Sequence, residues 1–170
     1  MSGFEPFAER DTRYSHESAT AGPWSAAKEL LTRAEMYWLS TVPPDGSPHV
    51  TPLIGEWSQG ALHFSTGVSE RKGRNPAADP EAVLTTGDNT LSEAIDVVVE
   101  GRAERVTDGA RLNRPAAAWE SKYGPERHFD VQDSTFRHAC HVALVFKVSP
   151  RTVFGFGKGT TYSRTRWRFS

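Results

Sequence analysis

Apolar residues recur at three- and four-residue spacing through Trp24, Ala27, Leu30, Leu31 and Ala34, one stripe of a helix that Ser25 is placed to cap. Near Met36 the period changes. Tyr37-Trp38-Leu39-Ser40-Thr41-Val42 favours a strand, and Pro43-Pro44-Asp45-Gly46 supplies a turn, proline presetting φ and Asp-Gly taking the reversal. A second strand is expected over 49–57. After Ser58-Gln59-Gly60 comes a third over 61–66, with Leu62, Phe64 and Thr66 on one face and Ala61, His63 and Ser65 on the other. Residues 67–80 read as a polar loop or short helix, and 82–86 and 94–106 as strands. Leu112, Ala116, Trp119 and Tyr123 mark a second helix over 112–123, its first turn disturbed by Pro115. A strand over 141–148 follows, with 152–156 continuing the sheet after Pro150. Short turns between consecutive strands impose antiparallel pairing, and six or seven such strands tend to close. The fold class is therefore mainly β with α (α+β), a small barrel flanked by helices.

Residues 1–23 carry no apolar period and read as a flexible N-terminal arm, free to drape over a partner subunit, ahead of one domain over 24–170. Lys plus Arg number 20 against 21 Asp plus Glu, which argues against a nucleic-acid coat protein or a polybasic membrane binder. The single cysteine, Cys140, excludes an intrachain disulfide framework and a CxxC site. No run approaches the ~18–20 apolar residues of a membrane span. The opening residues lack the basic and apolar regions of a signal peptide, so a cytoplasmic protein is expected.

Charge is uneven within that balance. After Asp133 there is no acid, yet Arg137, Lys147, Arg151, Lys158, Arg164, Arg166 and Arg168 follow, with Tyr162, Trp167 and Phe169 interleaved among the last of them. An acidic N-terminal segment, a second subunit or an anionic ligand must neutralise this tail. A second cationic group follows a strand end: Ser65-Thr66, then Arg71, Lys72 and Arg74 with Asn75. Hydroxyls and cations so grouped suit a phosphate, and Gly67 and Gly73 permit close backbone approach. Other motifs fail. Gly155-Phe156-Gly157-Lys158-Gly159-Thr160 has no Ser or Thr directly after its lysine, and His138-Ala139-Cys140-His141 places its ligand types on opposite strand faces, so no metal is expected.

Met36–Thr41, Asp45-Gly46-Ser47-Pro48-His49-Val50-Thr51-Pro52, Leu62-His63-Phe64-Ser65-Thr66, Arg71-Lys72-Gly73-Arg74-Asn75-Pro76 and Asp79-Pro80 occur in order. This series resembles the pyridoxamine 5′-phosphate oxidase-like, flavin-binding split-barrel superfamily. Val98-Val99-Glu100-Gly101-Arg102-Ala103 and Thr165-Arg166-Trp167-Arg168-Phe169 are similar to one bacterial branch of it. The resemblance implies a six-stranded antiparallel split β-barrel, a homodimer, and two FMN sites at the subunit interface. It implies that His49, Val50 and Thr51 lie along the flavin ring through main-chain groups. Ser65, Thr66, Arg71, Lys72, Arg74 and Asn75 would hold the phosphate, and Lys158, Arg166, Trp167 and Arg168 would lie near the cofactor. A sister group binds the deazaflavin coenzyme F-420 in the same groove. The chain lacks the longer Arg-rich C-terminal signature of true pyridoxamine phosphate oxidases, which argues against that particular activity.

The expected function is a flavin-dependent oxidoreductase acting on a small organic substrate, with coenzyme F-420 as the alternative cofactor. His49 is the one candidate proton donor, against a structural reading of the same ring. Two other readings stand beside this one: a non-catalytic flavin-binding module, and a nucleic-acid-contacting protein using residues 162–169 as a stacking platform.

Overall fold

Among the described residues, 5–170 of the computed structural model, every strand joins one antiparallel sheet. The strands are β1 (Phe7–Arg10), β2 (Tyr37–Thr41), β3 (His49–Leu53), β4 (Gly55–Ser58), β5 (Ala61–Gly67), β6 (Glu81–Thr86), β7 (Ile95–Arg105), β8 (Asp130–Gln132), β9 (Thr135–His138), β10 (His141–Gly157) and β11 (Ser163–Arg168). Three helices, α1 (Trp24–Arg33), α2 (Arg71–Ala78) and α3 (Gly109–Tyr123), lie among them. Six strands pair in the order β3–β2–β6–β7–β10–β5, and β3 does not pair with β5, so the sheet curls without closing. This is the expected α+β split barrel, extended by five further strands.

Most expected elements are present, with shifted ends. Helix α1 starts at Trp24 behind Pro23, and no side chain caps it, so Ser25 sits inside the helix instead of capping it. The strand expected over 49–57 breaks at Ile54 into β3 and β4, which pair with different neighbours. The two segments expected around Pro150 form one strand, β10, whose register with β7 shifts between Pro150 and Thr152. Pro115 lies within α3 and is buried; the helix begins three residues before Leu112, where Asp108 accepts a hydrogen bond from the Ala110 amide.

The N-terminal segment is not a free arm. Residues 1–4 lie outside the described residues, but β1 pairs with β11 along its whole length, from Phe7 opposite Arg168 to Arg10 opposite Thr165. Arg10 donates to the carbonyls of His16, Glu17 and Ala19, and the Gly22 amide donates to Thr165 Oγ1 at 2.8 Å. The polar composition of this stretch hides its structure, because backbone and side-chain hydrogen bonds do the ordering that apolar burial does elsewhere.

Register sorts the sheet into two faces. Inward runs Thr51–Leu39–Leu84–Val99–Val153–Trp167–Ala8, one residue from each of seven strands. Leu39, Leu84, Val99, Val153 and Trp167 of this row meet Trp24, Leu30 and Leu31 of α1 in the main core. Trp24 is its hub, edge-on to Trp57, Trp167 and Phe169 at 5.0–5.8 Å between ring centroids. The Trp167 ring fills the space over Gly155: a Cβ there would sit 2.5 Å from Cη2. Gly155→Ala should therefore cost about 1–3 kcal/mol by overpacking, read as a lower urea midpoint.

Helix α3 covers a second core of Val106, Leu112, Ala116, Trp119, Phe136 and Val145. Its C-terminal end is fixed by a buried polar cluster. Lys122 Nζ lies 3.3 Å from Glu56 Oε2 and donates to the Tyr37 hydroxyl at 3.2 Å and the Gly55 carbonyl at 3.1 Å. The Tyr123 hydroxyl donates to Gly55 O at 2.7 Å. Burial raises both phenols, Tyr123 to about 12, so they act here as neutral hydroxyls.

Candidate functional site

The outward face of the same strands carries the features that secondary structure alone does not explain. Two adjacent rows cross it: Pro52–Trp38–Thr85–Val98–Phe154–Arg166–Glu9 and Val50–Ser40–Val83–Glu100–Thr152–Arg168–Phe7. Trp38 is 53% exposed and Val50 54%, in the middle of regular strands. Large apolar groups in such positions mark a surface that something else covers. The sequence did carry this signal: Tyr37-Trp38-Leu39 and Val97-Val98-Val99 are apolar on consecutive positions, a pattern of strands covered on both faces.

Two clefts open on this face. One, of about 400 Å³, lies between Ser40, Pro48, Val50, Val83, Glu100 and Arg151. The other, of about 790 Å³, lies beside Trp38, Thr85, Val98 and Lys158, under the loop that carries Asn89 and Leu91. Strand β3 borders the first cleft and pairs with β2 alone, so alternate main-chain groups of residues 49–51 point out along its free edge.

Around the first cleft the candidate residues divide. Val50 faces outward, whereas His49 and Thr51 take inward register. His49 Nδ1 lies 3.3 Å from Thr41 Oγ1, which also accepts from Asn75 Nδ2 at 2.9 Å. Asn75, 4% exposed, thus ties α2 to β2 and is not available to a ligand. Thr66 is 2% exposed beneath α2, where a Cβ on Gly73 would stand 2.9 Å from its methyl group. Gly73 is what lets the helix press onto the end of β5. Ser65 is half-buried, and Arg71 and Arg74 are exposed. Lys72 is held by Glu70, whose carboxylate also accepts from the Gly67 amide at 2.7 Å. That ammonium keeps the Glu70 carboxyl below its ordinary range. Hydrogen bonds from Ser47, and more weakly the charge of Arg71, hold the Asp45 carboxyl in the β2–β3 turn below its ordinary range; the next residues, Gly46 to Pro48, line the cleft.

Most of the C-terminal cations find an acid within the chain. Glu9 accepts from Arg166 at 2.6 Å and from Arg168 at 3.1 Å; Lys158 pairs with Asp96 at 2.9 Å and Arg151 with Glu81 at 2.9 Å. Of the three neutralising agents that the sequence allowed, the N-terminal acid is the one found at Arg166 and Arg168. Trp167 is fully buried against Trp24, so its ring packs the core and does not reach a cofactor within the chain. The two cationic groups do not meet in one subunit: α2 packs on β2 and β5, while β11 lies between β1 and β10. Trp38 and Arg166 stand four strand spacings apart, roughly 19 Å along the sheet. Arg164, not among the expected site residues, caps this end of the face, its guanidinium 5.2–5.5 Å from the ring centroids of Tyr14, Phe154 and Phe156.

Comparison with known proteins places this geometry. Residues 24–149 match the sequence profile of the family described as pyridoxamine 5′-phosphate oxidase. A search of curated proteins gives no match. Among solved structures, a conserved hypothetical protein from Mycobacterium tuberculosis superposes with a TM-score of 0.63 at 19% identity, over 94% of this chain and 89% of that one. The FAD binding protein of Mycobacterium smegmatis gives 0.57 at 17% identity, over 77% and 92%. An F-420 reductase gives 0.51 at 24% identity, over 74% and 94%. No helix of the described chain is long and apolar enough to cross a membrane.

Proposed function

Because the chain belongs to the pyridoxamine 5′-phosphate oxidase family, we propose that it is an oxidoreductase that binds FMN, or alternatively coenzyme F-420, on the outward sheet face between two copies of itself. The observation that carries this reading is the half-exposed pair Trp38 and Val50, each lining a cleft on one sheet face beside β2, on which α2 packs. A flat aromatic ring fits such a face, and a phosphate fits Arg71 and Lys72. The chemistry supplied by a bound cofactor of this kind is hydride exchange with a small organic substrate.

The chain's own residues bind and orient. Trp38 and Val50 exclude water from one side of the ring. Main-chain groups of residues 49–51, on the free edge of β3, offer fixed dipoles to charge that develops there, a task that needs no acid or base side chain. Ser65, Arg71 and Lys72 hold the phosphate, with Arg74 at the rim; Thr66, Asn75 and His49 position β5, α2 and β3 beneath it. A second copy laid on the apolar face carries its own Lys158, Arg166 and Arg168 to the cleft, which these residues do not reach within one chain.

Each charge-assisted hydrogen bond to phosphate is worth about 1.5–3 kcal/mol, so Lys72→Ala should weaken FMN binding about 10- to 100-fold while leaving the urea midpoint unchanged. Fluorescence titration measures this well, because the other four tryptophans are buried and only Trp38 lies on the face. Equal affinity in the variant would remove Lys72 from the site. The absorption spectrum of the purified protein, with the mass of any released chromophore, decides between flavin and deazaflavin. A coloured protein that oxidises no reduced nicotinamide or deazaflavin would favour a binding module without turnover. Val98→Glu should turn a dimer into an 18.8 kDa monomer in sedimentation, and an unchanged sedimenting mass would place the subunit contact elsewhere.

A further inference from the structure

A third pocket, polar and of about 390 Å³, lies apart from the two clefts, where β5 and β7 flank β10 at the start of α3. Register puts Glu56, His63, Lys147 and Glu104 in one row across four strands. His63 lines the pocket at 5% exposure; its Nδ1 is enclosed by the chain without a hydrogen-bond partner, so the ring meets the pocket by its other edge. Around it stand Lys147, Arg105, Arg111 and Ser149. Lys147 pairs with Glu104 at 3.1 Å, and Arg111 with Asp108 at 3.4 Å. Arg105 makes no ion pair among the described residues, which leaves the lining one positive charge in excess: three cations against two carboxylates.

We infer that this pocket binds a small oxyanion, a carboxylate or a phosphate, held by Arg105 and Lys147 and hydrogen-bonded by the imidazole of His63. A net-positive pocket with the edge of an imidazole in its wall is the arrangement that an oxyanion completes. Burial lowers the His63 pKa to about 4, so the ring is neutral at physiological pH and offers a hydrogen bond, not a charge. Lys147 on one side acts in the same direction, while Glu56, on the other, is already engaged by Lys122. Net attraction therefore comes from Arg105, and selectivity from the imidazole. The inference is independent of the flavin reading, since this pocket shares no lining residue with the two clefts described above.

The test follows the His63 ring resonances of the full chain by ¹H–¹⁵N spectroscopy, assigned with His63→Gln, during separate titrations with inorganic phosphate and with succinate. At least one probe should give a saturable shift, and the half-saturation concentration should rise tenfold or more in Arg105→Gln, whose exposed side chain can be changed without loss of fold. The probe that saturates distinguishes phosphate from carboxylate. Shifts that stay linear in salt, that survive Arg105→Gln unchanged, or that vanish in Lys72→Ala instead would overturn the site.

Discussion

Lys122→Met should destabilise the fold by about 3–5 kcal/mol, because it leaves the Glu56 carboxylate buried without its counter-charge. Even with the lysine present, burial outweighs the ammonium and holds the Glu56 carboxyl above its ordinary value of 4.5. Burial likewise lowers the Lys122 ammonium. The pair therefore exists at a desolvation cost that each partner offsets for the other. A carboxyl whose folded pKa lies above its unfolded value binds its proton more readily in the folded chain. Its stability contribution is thus greatest below 4.5 and falls as pH rises through the folded value. In Lys122→Met that fall should steepen, so the variant's deficit against the parent narrows as the solution is acidified toward the folded value. Glu56→Gln in the same background should restore part of the loss at pH 7. Urea midpoints of the three proteins at two pH values measure all of this, and a Lys122→Met deficit under 1 kcal/mol at pH 7 would show that water reaches the pair.

Trp167→Ala should cost a similar amount, about 3–5 kcal/mol, since it empties a fully buried site packed between Trp24 and Gly155. The same change tests which face the residue serves. Trp167→Phe, which keeps most of the volume, should lose less stability and leave cofactor affinity unchanged. A large drop in affinity without a drop in stability would return the ring to the cofactor. Truncation at Gly159 does not address the question, because it removes β11, the neighbour that β1 pairs with, and a wall of the core.

Sequence reading succeeded where structure is local. The apolar stripe of α1, the Pro-Pro-Asp-Gly turn and the alternation in β5 depend on neighbours a few residues away, and each element stands within a few residues of its expected place. It failed where partners are distant. Glu9 answers Arg166 and Arg168 from more than 150 residues away, so the tail looked unneutralised and the head unstructured. Trp167 alternates with arginines as a ligand-facing aromatic would, and only the pairing of β11 with β10 shows that the arginines face out and the indole in. The hairpin of β8 and β9 was missed for another reason. Its strands are three and four residues long, and the turn between them rests on Asp133 and Ser134, both at positive φ, with no glycine to announce it. The hydroxyls and cations of residues 65–75 were readable as a group, but not that Asn75 and Thr66 are spent on holding α2 in place.

The pairing of β1 with β11 has a consequence for how copies of this protein meet. An exposed strand margin is a template on which foreign chains polymerise. Here one margin of the long strand path ends in a four-residue strand bearing Glu9 and Arg10, and the other in β3, where Pro52 has no amide to donate. Both ends are poor seeds for fibrous growth.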